Sequence, residues 1–179
     1  MQIDADIKIA GDKPSRDVKR NRALAESQSV DKTAAKNAKK WGEAVALKFI
    51  EDAFTAETGD EMPNIEMVIQ RRMLLSFTAT VGFEQLSPDD SVAGIAQKSF
   101  LDTVKKESDE LYRTSSDTGA FSFYYLAFRR GGDTDRRIGQ TFAMLCSHDG
   151  DPIYQELGEA LYCWFLSMVK QKAKDYNII

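Results

Sequence analysis

Apolar residues recur at helical spacing through most of this chain, and at a spacing of two in one short stretch near its start. Ile3, Ala5, Ile7 and Ile9 alternate with polar neighbours, and Gly11-Asp12-Lys13-Pro14 behind them reads as a turn. That pattern predicts an extended arm or short strand, which would need a partner edge, for example from a second subunit. Residues 15–32 carry few large apolar groups and read as a solvated helix or an unstructured leader.

From Thr33 the period becomes that of a helix. Ala38, Trp41, Val45, Phe49 and Ala53 lie three or four apart, with Ala46, Ile50 and Phe54 widening the stripe before Thr58-Gly59-Asp60 closes it. A second helix is predicted from about Pro63 to Gln85. Its apolar residues cover more than one face, which marks a central element. Ser87-Pro88-Asp89-Asp90 combines a capping serine, a first-turn proline and two acids, and starts a third stripe running from Val92 through Phe100 and Val104 to Tyr112.

Ser115-Ser116-Asp117 breaks and recaps the chain. Five of the sixteen Phe and Tyr residues then fall within positions 121–128. Phe121, Tyr124, Tyr125 and Phe128 match a helical face, and the flanking helical patterns favour helix over strand. Gly131-Gly132 ends that helix, and Asp133 or Thr134 caps the next, with Ile138, Phe142, Leu145 and Cys146 as its stripe. After the turn His148-Asp149-Gly150-Asp151-Pro152, a last stripe of Ile153, Leu157, Leu161, Trp164, Phe165 and Met168 runs to about Tyr176. The prediction is an all-α, single-domain bundle of about six helices over residues 33–179, preceded by an arm and charged leader over residues 1–32.

Composition supports one folded domain. At 179 residues, 42% of them apolar and 29% charged, the chain can hide roughly 70% of its unfolded surface. Cys146 and Cys163 are too few for a disulfide framework. On consecutive antiparallel helices turning near Gly150 they would stand about 15 Å apart along the axis, beyond the roughly 7 Å a bridge tolerates. Both are expected as reduced core residues. With no signal-peptide pattern and no membrane-length apolar run, a cytoplasmic location without membrane contact is expected.

Charge is unevenly placed. Residues 12–40 hold nine basic and four acidic side chains, a net +5; residues 1–11 carry −1 and the chain −4, so residues 41–179 carry −8. A cationic leader ahead of an acidic body points to a binding partner or to self-association.

The chain is poor in catalytic patterns. It has no GxSxG, HExxH, CxxC or phosphate-loop spacing. The single histidine, His148, neighbours Asp149 and Asp151, but this trio matches no metal-binding spacing and reads best as helix-end capping and turn chemistry. Arg71-Arg72 interrupts the most apolar helix and reads as a surface-facing pair, with a buried ion pair or a ligand-facing pair as the sharper alternative. The densest charged constellation is Arg129, Arg130, Arg136 and Arg137 around Gly131-Gly132-Asp133-Thr134-Asp135. Local capping and salt bridging would explain it. If the body holds an anion- or ligand-binding site, these four arginines mark it.

The reading that follows is a non-enzymatic protein acting by protein–protein interaction or homo-oligomerisation, through the apolar arm and charged leader, with no catalytic residues, metal or cofactor. Two alternatives stand behind it. One is a nucleic-acid-binding accessory using the leader and the four arginines, against which the −8 body argues. The other is a small-ligand sensor or enzyme with a pocket between helices near those arginines and His148.

Overall fold

The computed structural model describes residues 16–55, 64–116 and 118–179. The chain divides into two compact units, Met1–Thr33 and Ala34–Ile179, and the side-chain relationships below all lie in the second. The predicted strand at residues 3–9 and the turns at 11–14 and 58–60 fall outside the described residues. Those described form an all-α bundle of seven helices with no strand: α1 (Arg16–Thr55), α2 (Ile65–Leu86), α3 (Asp90–Glu107), α4 (Asp109–Ser116), α5 (Thr118–Arg129), α6 (Thr134–Leu145) and α7 (Pro152–Asp175). None of these helices is long and apolar enough to cross a membrane.

Side-chain oxygens start several of them. Asn64 Oδ1 accepts hydrogen bonds from the Glu66 and Met67 amides at the head of α2, at 3.1 and 3.3 Å. Asp89 Oδ1 accepts from Val92 N at 2.9 Å, so Asp89 caps α3, while the expected cap, Ser87, closes α2 by donating its own amide to Phe83 O. Asp151 accepts from Ile153 N at 2.9 Å ahead of Pro152, whose missing N–H costs nothing in a first turn.

The seventh helix comes from a break at Ser108. Its backbone is extended (φ −157°, ψ 117°) while its hydroxyl accepts from Leu111 N at 3.2 Å, ending α3 and capping α4 in one residue. Val104 and Leu111 are both buried, so the apolar stripe continues across the break.

α2 lies at the centre, as its all-round apolar character requires. Leu74, Leu75, Phe77, Ala79, Val81 and Phe83 are buried along it. Trp41 of α1 meets Phe83 edge-on at a centroid separation of 4.7 Å, and its indole N–H donates to Val169 O of α7 at 3.1 Å. Phe49 packs on Phe100 of α3 at 5.5 Å. Each such buried ring stabilises the bundle by roughly 2 kcal/mol or more. Phe54, expected in the α1 stripe, is instead half exposed.

Close helix contacts rest on glycine. A side chain at Gly158 of α7 would place its Cβ 2.6 Å from Phe142 Cβ of α6, and one at Gly139 of α6 would collide with the Gln155 carbonyl. α6 and α7 therefore touch backbone to backbone, a distance no other residue permits.

Arg71 and Arg72 do not face solvent as the sequence suggested. Arg71 forks onto Asp52 of α1, with Nε to Oδ2 at 3.0 Å and Nη2 to Oδ1 at 2.5 Å, and Arg72, only 6% exposed, donates to Glu110 of α4 at 3.0 Å. A charged pair on a central helix must find partners because its desolvation is otherwise uncompensated.

Candidate functional site

Two features of the bundle surface stand out: a groove along the α5–α6 hairpin and an apolar stripe on α7. The hairpin turn is made by Gly131 and Gly132, whose φ values of +66° and +76° exclude other residues at little cost. Asp133 follows at the N-cap position but makes no side-chain capping bond, contrary to expectation. Arg137 instead ties the turn to α6 by reaching back, its guanidinium donating to the Gly131 carbonyl.

Antiparallel helices joined this tightly align their side chains in register. Phe123, Leu126 and Ala127 of α5, Arg130 just past its end, and Arg137, Gln140, Thr141 and Met144 of α6 line one groove of about 340 Å³, with Asp149 beyond the end of α6. Four residues on each side border it, spread over seven residue steps or roughly 10 Å. Phe123 (48%), Leu126 (59%) and Met144 (42%) are all substantially exposed, so the groove is open, with these apolar residues beside Gln140 and Thr141 along its middle, cationic at the hairpin turn and acidic past the opposite end.

Of the four arginines singled out from the sequence, Arg130 and Arg137 line this groove and Arg129 and Arg136 do not. Arg129 lies 5.6 Å from the ring centroid of Tyr125, whose hydroxyl donates to Glu84 at 3.1 Å. Burial and then the Glu84 charge push the Tyr125 hydroxyl up to about 12.

His148 takes the end-of-helix role. The end of α6 closes with Ser147 in the left-handed region (φ 61°) and the His148 amide donating to Ala143 O at 2.8 Å, the bond that seals a helix end when the chain reverses. Its Nδ1 donates to Cys146 O at 2.7 Å, and its ring stacks on Tyr154 at 3.7 Å between centroids. No group of three or more His, Cys, Asp or Glu side chains able to hold a metal ion occurs among the described residues.

The stripe on α7 was read from the sequence as core. In the bundle, Leu161, Phe165 and Val169 face inward, whereas Ile153 is 74% and Trp164 49% exposed. Exposed Ala160 and Leu157, half-buried against the core, complete an outer row at spacings of four, three and four. Beside it, Asp52, Arg71, Leu157, Ala160, Leu161 and Trp164 enclose a hollow of about 270 Å³. α7 carries more apolar residues than one buried face needs, and that surplus was the available signal. Cys163 shares this outer region and is exposed, not core as expected; Cys146 is fully buried, and both are free thiols. Burial, with a hydrogen bond to Asp135, pushes the Cys163 thiol up to about 11.

No protein-family model, curated protein or solved structure matches this chain.

Proposed function

We propose that this protein is a non-enzymatic helical protein that works by self-association, two copies pairing through the outer row of α7. The outer row of exposed Ile153, Ala160 and Trp164 with half-buried Leu157 carries this reading. Spacings of four, three and four are those of a helix-pairing seam. The row is also self-complementary. In an antiparallel pair centred between Leu157 and Ala160, Leu157 of each copy meets Ala160 of the other, and Ile153 meets Trp164. Large residues then oppose a small one at the centre, and one two-fold axis satisfies both copies.

Electrostatics point the same way. The charged groups bordering the hollow, Arg71 and Asp52, already bind each other, so the rim demands no counter-charge from a partner. A neutral apolar seam suits a second copy of itself.

The test is mass in solution by sedimentation equilibrium. The wild-type chain is expected to dimerise in the micromolar range, and Trp164→Glu to be monomeric with an unchanged circular dichroism spectrum. A wild-type chain that stays monomeric up to roughly 100 µM, a dissociation free energy below about 5.5 kcal/mol, refutes the reading.

A further inference from the structure

We infer that the α5–α6 groove is a second binding site, for an acidic amphipathic helix of a partner protein. It lies on different helices from the α7 seam, and the inference does not depend on self-association. Among the described residues neither Arg130 nor Arg137 is paired with a carboxylate, although both border an apolar groove. Arg71 and Arg72 on the central helix already have carboxylate partners. The exposed Arg130 and the half-buried Arg137 carry none among the described residues, and they stand beside three exposed large apolar side chains.

The form of the groove selects the occupant. Sites for small molecules bury most of the ligand in a concave pocket, whereas Phe123, Leu126 and Met144 remain 42–59% exposed along an open trough. A small carboxylate held by the arginines would leave its apolar body in water. A helix is about 10 Å across and presents side chains at i, i+3 or i+4, and i+7 over roughly 10 Å, which covers all three apolar residues at once. Carboxylates at the end of that helix nearer the hairpin turn then meet Arg130 and Arg137, and a basic residue at its other end approaches Asp149. The arginines supply orientation and encounter rate, the apolar residues most of the contact area. Because Arg137 already donates to Gly131 O, its guanidinium is held in place before the partner arrives, which lowers the ordering cost of binding.

The probes are three capped helical peptides of about fourteen residues, titrated by fluorescence anisotropy into the full chain. The first two carry leucine at the three facing positions. The first has glutamates at one end and lysines at the other; the second has lysines at both ends; the third has the glutamates of the first but alanine at the facing positions.

The first peptide is expected to bind saturably, more weakly as salt rises, and the other two roughly tenfold or more weakly. Arg130→Glu is expected to weaken the first peptide roughly tenfold while improving the all-lysine one. A structural role for Arg130 alone would not produce that exchange of preference. Arg137→Lys, which keeps the charge, serves as the milder second variant. No saturable binding of the first peptide up to about 1 mM, or binding indifferent to Arg130→Glu, overturns the inference. So does octanoate binding as tightly as the peptide, which would assign the groove to small organic acids.

Discussion

Arg71 grips Asp52 with two parallel hydrogen bonds, joining the second helix of the bundle to the first beside the exposed α7 row. Both side chains are largely withdrawn from water, at 26% and 13% exposure, so removing one partner strands the other. Asp52→Asn is expected to lower unfolding free energy by about 2 kcal/mol. Replacing both, as Asp52→Leu with Arg71→Met, should recover much of that loss, because two apolar groups leave no uncompensated charge. Urea denaturation of the two single variants and the double variant measures the coupling.

Two glycines should respond in opposite senses to alanine. Gly158→Ala pushes a methyl group into Phe142, and the overpacking outweighs the gain in helix propensity, for a net loss of about 1–2 kcal/mol. Gly94 of α3 has nothing within 4 Å of where a Cβ would stand, so Gly94→Ala should stabilise by roughly 0.5–1 kcal/mol. Thermal melts of the pair separate packing from propensity.

Stability should fall on the alkaline side. Burial raises Cys146 from 9.0 to about 11 and Tyr162 from 10.0 to about 12, and drives Tyr124 higher still. These groups hold their protons in the folded chain and release them sooner when unfolded. Their contribution is therefore complete below the unfolded values and is lost as pH rises from about 9 upward through the folded values. Urea midpoints are expected to be level between about pH 6 and 8.5 and to drop beyond about 9. The Tyr124 hydroxyl is buried without a hydrogen-bond partner. Tyr124→Phe should accordingly cost nothing near neutrality and lessen the alkaline decline.

Cys163 combines exposure with a reluctant thiol. Burial of its sulfur environment and the bond to Asp135 keep it protonated up to about 11. At pH 8 it is expected to react with iodoacetamide far more slowly than a free cysteine, and Asp135→Asn should quicken it roughly threefold or more. Cys146, fully buried, should react only on unfolding. Mass spectrometry of the alkylated chain reads both sites.

Helix positions were legible where a cap and a stripe agreed. Asp151-Pro152 ahead of Ile153 and Gly131-Gly132 after Arg129 mark real boundaries. Ser108 was invisible because Val104 and Leu111 keep facing the core across it, so periodicity shows no interruption where the backbone turns. The candidate groove was half legible. Local charge density pointed to Arg130 and Arg137, but spacing alone could not separate them from Arg129 and Arg136, which differ only in angle around their helices. Phe123, Leu126 and the α7 row fit a helical face equally well whether that face looks inward or outward, and only the neighbouring helices decide which.

The glycine contacts that bring α6 against α7 leave the two sides of the α5–α6 trough unequally anchored. One bank is bolted to the longest neighbouring strut. The other, α5, leans on the bundle through side chains, with Phe121, Tyr124, Tyr125 and Phe128 gathered around Phe77. Breathing of the trough thus falls to α5, whose amides should trade their hydrogens for deuterium well before those of α6.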